Sequence, residues 1–481
     1  MEERFNDKLY EILATFNFNT ERGEILEGVL RHFLVEKDVE LDIKKKAKEA
    51  FDEINNDKNY IRDTNFDPTK IAESKEFKRE WFKQRHLLLS NIPNEYVPEY
   101  LMQKFSPFLE DFVDVYKFDA NTLWMFAFKL IEYCQFKKYM VKFRDEVYQF
   151  NSKEEFADLW FVGLPEKNYV EKWKNIITFD IRELKRIFSS ISKNINAEFD
   201  SIIDVLSMRI EELPSKPEDI KLHLKPFLRL DDHTLVLLTP DYLTRALPVL
   251  YETLFSKCKS YLDSKGKTFE RLTQETIKSL PFSSMGFNTK YGEDFETDAV
   301  IKFKKSAWVV EVTSHPPSLK ALEGDWSHIS DDLEKSIEKC IKQGERCIEH
   351  KNEDSLKSYF HNTTTNGILI VVDGSYPELN LNSAVKFFEE KYPVYIINWF
   401  DLRLLIDEPE VEDFEEFLLW RIIRPMPVVC FDEKDYWAFF FDNYKAKKEM
   451  YEGFEKMQEK ELKLFYNSFR FNNKDYLNKI A

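Results

Sequence analysis

The chain has 481 residues, 43% of them hydrophobic and 33% charged, with a net charge of −17. That length predicts two to four domains with room for a sizeable core, and the apolar fraction excludes a disordered chain. The acidic balance excludes a protein that merely coats nucleic acid, because phosphate neutralisation drives such binding; any nucleic-acid role needs a local groove, a metal ion or a partner.

The N-terminus, MEERFNDKLYEILATF, is charged from the second residue and lacks the apolar core of a signal peptide. Apolar residues recur at three and four spacing over Phe5–Phe16, Gly23–Val35, Asn121–Phe150 and Phe199–Leu213, which predicts helices. Polar loops such as KDVELDIKKK and RDTNFDPTK separate them, and the Lys44-Lys45-Lys46 cluster reads as a solvated helix face. The most apolar run, Leu123 to Cys134, is interrupted by Lys129 and Glu132 and is too short to span a bilayer, so no membrane association is expected. Residues 1–225 are therefore read as an all-α N-terminal region, suited to selecting a substrate or recruiting a protein partner. The 11 glycines, few for this length, agree with long helices.

The pattern changes near Lys225. An Asp-Asp turn precedes a short strand, His233–Leu238, and a long amphipathic helix follows over Asp241–Leu262. From Lys265 the reading is α/β: a helix over Phe269–Leu280, strands over Asp298–Phe303 and Trp308–Thr313 joined at Lys304–Ala307, and a helix over Ser330–His350. Gly367–Asp373 and Val394–Trp399 are continuous apolar strands of the kind buried in a sheet centre, and a short helix starts at Asp401. This order predicts a mixed central sheet flanked by helices over 226–430, followed by a helical C-terminal tail at 431–481. The five cysteines are odd in number and hold no C-x-x-C pair, which argues against a disulfide framework or zinc site and for a reducing cytoplasm. Cys340 and Cys347 share one helix face as small buried residues.

The chemistry concentrates between Lys265 and Ser314, where Glu270, Asp298 and Glu311 are spread over a helix and a hairpin. With the turn at Lys304–Ala307, Asp298 is expected opposite Thr313 and Glu311 opposite Val300, near enough for one cation to bridge two carboxylates. Glu311 lies inside WVVEV, where a bare carboxylate is costly without a partner or a metal. Hard oxygen ligands suit Mg²⁺ or Mn²⁺.

The pattern K-G-x-x-F-E, then E-x-D-x-V-I, then W-V-V-E-V-x-S resembles the PD-(D/E)XK nuclease superfamily, the restriction-endonuclease-like fold. The resemblance implies metal binding by Asp298, Glu311 and the Val312 carbonyl, with Glu270 assisting, and gives Glu296 and Gln343 lesser supporting places. The sequence departs from the pattern at Thr313, where the superfamily has a lysine that orients water and offsets phosphate charge. A relocated lysine is expected at Lys302, Lys320 or Lys339. The resemblance implies a Mg²⁺-dependent nuclease, with DNA favoured over RNA and defence against foreign DNA as its setting. The alternative is an inactive nuclease fold that binds nucleic acid or serves as a scaffold. Homo-oligomerisation is left open. Gly266-Lys267-Thr268 is not a phosphate-binding loop, because position 261 is Tyr261 where that loop needs glycine. His315 reads as a loop residue that could reach a phosphate at the mouth of the site.

Overall fold

The computed structural model describes residues 2–18, 23–49, 95–141, 165–191, 195–315, 318–322, 326–374, 388, 390–408, 410–422 and 433–441. The chain forms two compact units, and the boundary between them falls at Thr268/Phe269, inside the helix Lys259–Ile277. The expected boundary at 225/226 thus lies within the first unit. Most of the proposed C-terminal tail, and the end of the helix expected to reach Phe150, lie outside the described residues. Among the described residues no helix is long and apolar enough to cross a membrane.

The first unit is mostly helical but not all-α, contrary to expectation. Strands β1 (Thr178–Asp180), β2 (Ser207–Arg209), β3 (Phe227–Arg229) and β4 (Thr234–Leu237) form a small sheet in the order β1-β4-β3-β2. Only β2 and β3 run parallel. The Asp-Asp turn stands where the sequence placed it: Asp231 Oδ1 accepts from the amides of His233 at 2.7 Å and Thr234 at 2.9 Å. The helix expected over Asp241–Leu262 is broken into Pro240–Arg245, Leu247–Phe255 and the start of Lys259–Ile277. Pro248 opens the middle piece, where a missing N–H costs nothing. Lys104 is wholly buried here, which is tolerable only because Glu252 and the Tyr100 hydroxyl accept from its ammonium.

The second unit is built on strands β5 (Ser284–Tyr291), β6 (Phe295–Lys302), β7 (Ser306–Thr313), β8 (Thr365–Val372) and β9 (Val394–Asn398), paired in sequence order. The first three strands are antiparallel; β7, β8 and β9 are parallel. The helices Trp326–Leu333 and Lys339–Glu349, joined by a π-turn over Glu334–Glu338, make the crossover from β7 to β8 with the short helix Asp354–Phe360. Their Ile329, Leu333, Ile337, Cys340, Ile341 and Cys347 bury one sheet face, against Val300, Val309, Ile368, Ile370 and Ile396. Contact is close at Gly344, where an added Cβ would stand 2.7 Å from Ile368, so only glycine lets the helix lie this near the sheet. The four described cysteines are buried and unbridged.

The hairpin is tighter than expected. Phe303 N–H donates to Ser306 O at 2.9 Å, which closes the turn around Lys304 and Lys305. Glu415 fixes it by accepting from Lys305 N at 2.7 Å and Ser306 Oγ at 2.8 Å. The register is therefore displaced by two residues: Val300 pairs with Val309 and Ala299 with Val310. Carried one step beyond its last pair, that register sets Asp298 toward Glu311 and not Thr313.

Candidate active site

The displaced register carries Asp298 toward Glu311, whose carboxyl feels the Asp298 charge. Regular pairing stops one step short of them, at Ala299↔Val310. On the other side of β6 the ladder runs to Phe287↔Ala299 and resumes at Thr289↔Thr297, leaving Asn288 and Asp298 opposite one another but unpaired. Asn288 has φ 47°, in the left-handed region, which kinks β5 at that point. Asp298 is thus the place where β6 parts from both neighbours.

The freed groups are reused. Asp298 Oδ2 accepts from Val312 N at 2.7 Å, taking the place of a ladder carbonyl. The N–H and C=O of one strand residue face the same edge, so the Val312 carbonyl is directed toward β6 as well. Glu311 is 2% exposed, and its Oε1 accepts from Thr297 Oγ1 at 2.9 Å. Glu270 Oε1 accepts from Gln274 Nε2 at 3.0 Å and Asn288 Nδ2 at 3.1 Å. The three carboxylates predicted from sequence therefore act on one another.

Burial pushes the Asp298 carboxyl up to about 6, with the Glu270 and Glu296 charges adding to it and the Val312 N–H and Lys339 opposing it. Burial raises Glu311 well above the ordinary range too, and the Asp298 charge raises it further. Among the described residues neither carboxylate forms an ion pair with a basic side chain. Lys339, at the start of the crossover helix, is the basic group whose charge bears on both. Of the three lysines considered, it alone is placed to do so. Lys302 is excluded: its Nζ donates to Ser358 O at 3.1 Å and His361 O at 2.8 Å, closing the end of the helix Asp354–Phe360. It stands four residues along β6 from Asp298, roughly 13 Å at the usual strand rise. Lys320 is exposed on the short helix Leu319–Leu322 and is not among the charges that shift either carboxyl.

Thr313 is buried at the end of β7, and its carbonyl accepts from Asp373 N at 3.1 Å. Gln343 enters through its backbone, whose carbonyl accepts from the Tyr291 hydroxyl at 3.3 Å. Glu296 is exposed and acts on Asp298 only through its charge. His315 Nε2 lies 3.2 Å from Asp332 Oδ1, while Asp332 Oδ2 accepts from Ser318 N and Oγ, each at 2.8 Å. Burial disfavours the Asp332 charge, but these hydrogen bonds outweigh it and hold its carboxyl below the usual value. Reasoning from sequence overlooked Gln274, Asn288 and Thr297. Only Gln274, one helical turn after Glu270, carries any local signal.

The donor set suits a hard divalent cation: two carboxylates, a carbonyl directed to the same edge and a third carboxylate nearby. Such an ion would offset the neighbouring acidic charges that add to burial in raising both carboxyls. As placed, no group of three or more His, Cys, Asp or Glu side chains among the described residues is gathered closely enough to hold a metal ion. No family model, curated protein or solved structure matches the chain.

Proposed function

We propose that this chain is a metal-dependent nuclease of the PD-(D/E)XK type that hydrolyses phosphodiester bonds, with DNA as the favoured substrate. One observation carries the reading: Asp298 and Glu311 lie at the end of the β6–β7 ladder, the charge of the first acting on the second, both largely withdrawn from water and neither in an ion pair among the described residues. Folding tolerates that arrangement at a cost, and costs of this kind collect at functional sites. Asp298, Glu311 and the Val312 carbonyl would hold Mg²⁺ or Mn²⁺, with Glu270 as a further donor. When bound, the ion supplies a lowered pKa for water and an electrostatic clamp on the phosphate. The chain's own parts are to orient that ion, exclude bulk water beneath the crossover helix, and offset phosphate charge with Lys339. With the chain at −17 overall, substrate affinity comes from this local field.

A second reading keeps the nuclease fold without catalysis, as a nucleic-acid-binding or scaffold subunit. It is favoured by the loose spacing of the acidic groups and by Thr313 in place of lysine. Incubation with plasmid, single-stranded DNA and RNA in Mg²⁺, Mn²⁺ or EDTA separates the two. The nuclease reading expects metal-dependent cutting that disappears in Asp298→Ala and Glu311→Ala. Binding with no cutting under any metal establishes the second reading instead.

A further inference from the structure

Gln274 Nε2 stands 3.0 Å from Glu270 Oε1, 2.5 Å from Asn288 Oδ1 and 3.1 Å from the Asp298 carbonyl oxygen. Asn288 Nδ2 donates to the same Glu270 oxygen at 3.1 Å. Two side-chain amides thus tie the helix carboxylate to the backbone of the strand carboxylate, at the one step where the β5–β6 ladder supplies no pair. Asn288 meets three demands together: it adopts φ 47°, which most residues resist, it accepts from Gln274, and it donates to Glu270. Aspartate would tolerate the backbone but offer Glu270 no donor when ionised; glycine would tolerate it and offer neither group.

We infer that Gln274 and Asn288 are positioning residues that act through Glu270 and Asp298, fixing the separation of these two groups for a divalent cation. This rests on the nuclease reading above, and it adds that the third carboxylate is aimed by amides and not by the sheet. Glu270 alone on a helix has rotamer freedom; held by two donors it presents its carboxylate in one direction, so less order is lost when an ion arrives.

The test uses the full chain and Mn²⁺ alone as the probe. Gln274→Met keeps the side-chain length and removes the amide, and Asn288→Gly keeps the backbone freedom and removes the amide. Lys302→Ala is the control: it breaks the bonds to Ser358 O and His361 O at the far end of the same strand. Mn²⁺ affinity is read by titration calorimetry, folding by the thermal midpoint, and plasmid cutting as a function of Mn²⁺ concentration. Loss of such supporting partners typically weakens metal binding by about 10–100-fold. Gln274→Met and Asn288→Gly are expected to weaken Mn²⁺ binding at least about tenfold, and to shift half-saturation for cutting equally. The maximal rate at saturating Mn²⁺ stays near that of the parent. Lys302→Ala lowers the thermal midpoint and leaves Mn²⁺ affinity unchanged. Parental Mn²⁺ affinity in both amide variants, whatever their midpoints, overturns the clamp and leaves the nuclease reading standing. A parent that neither binds Mn²⁺ nor cuts overturns both.

Discussion

Replacing Asp298 by asparagine should make the metal-free protein more stable at neutral pH, and the size of the gain follows from the site. Burial is the main cause that lifts this carboxyl from 3.8 to about 6. A carboxyl raised by folding keeps its proton longer in the folded state than in the unfolded one. Below about pH 4 both states are protonated and folding is unaffected; stability then falls as pH rises toward 6, and the full penalty applies above it. At roughly 1.4 kcal/mol per pH unit the penalty is about 3 kcal/mol at pH 7.5 and about half that at pH 5. An asparagine in this place would keep the shape and still accept from Val312 N, without charge. The Asp298→Asn variant should therefore exceed the parent by about 3 kcal/mol at pH 7.5 in EDTA. For a unit of this size that is a thermal midpoint higher by roughly 6–10 °C. Scanning calorimetry of both proteins at pH 5 and 7.5 measures the difference, in which the titrating groups that do not interact with Asp298 cancel. A variant no more stable than the parent at pH 7.5, or a gain that does not shrink at pH 5, refutes the argument. Saturating Mn²⁺ should invert the order, because only the parent gains binding energy from the ion.

Lys339→Ala should slow DNA cutting by about 100-fold, the usual effect of losing one group that offsets developing charge, while Lys302→Ala lowers only the thermal midpoint. Equal cutting rates in the two variants would remove Lys339 from the site. Arg421 is 2% exposed and pairs with buried Glu433 at 3.0 Å, and Tyr395 also donates to Glu433. Arg421→Met removes the positive charge beside that buried carboxylate, and should cost about 3–5 kcal/mol in urea denaturation, much of it recovered in the Arg421→Met/Glu433→Met double variant. Gly344→Ala forces a methyl against Ile368 and should cost about 1–3 kcal/mol by the same assay; a neutral result would show that the crossover helix can lift from the sheet.

Long apolar runs made the interior strands legible. WVVEV, GILIVVD and VYIINW emerge as β7, β8 and β9 because strands buried on both faces carry an unbroken apolar signal. Strand β5 was not legible. It is an edge strand with Gly286 and Asn288 in its middle, residues that strands avoid, and only its neighbours hold it extended. The three-residue strands β1 and β2 are shorter than any periodicity test can resolve, which is why residues 1–225 read as all-α. The hairpin register failed for another reason. Lys304–Ala307 has the composition of a four-residue connection, and the contact that draws Ser306 into β7 comes from Glu415, more than a hundred positions later. A displacement of two residues keeps the paired side chains on their expected faces; a displacement of one would have reversed them.

That parity also bears on Thr313, which lies two residues beyond Glu311 on the same face and is 7% exposed. A lysine there would direct its ammonium along the sheet surface toward Glu311 and Asp298. It would pair with carboxylates that burial and neighbouring acidic charges hold raised, and so offset the same charges that a divalent ion would offset. Lys339 acts differently. It approaches from the crossover helix, bears on both carboxylates through its charge, and pairs with neither. The proposed cation site and Lys339 thus belong to different layers, strand and helix, where the nuclease pattern places both on one strand. Thr313→Lys should therefore stabilise the metal-free protein at pH 7.5, weaken Mn²⁺ binding by about tenfold or more through charge repulsion at short range, and leave the maximal cutting rate no higher than that of the parent. Faster cutting with undiminished Mn²⁺ affinity would mean that Lys339 leaves the charge at the phosphate unfilled, and that Thr313 marks a lost group and not a relocated one.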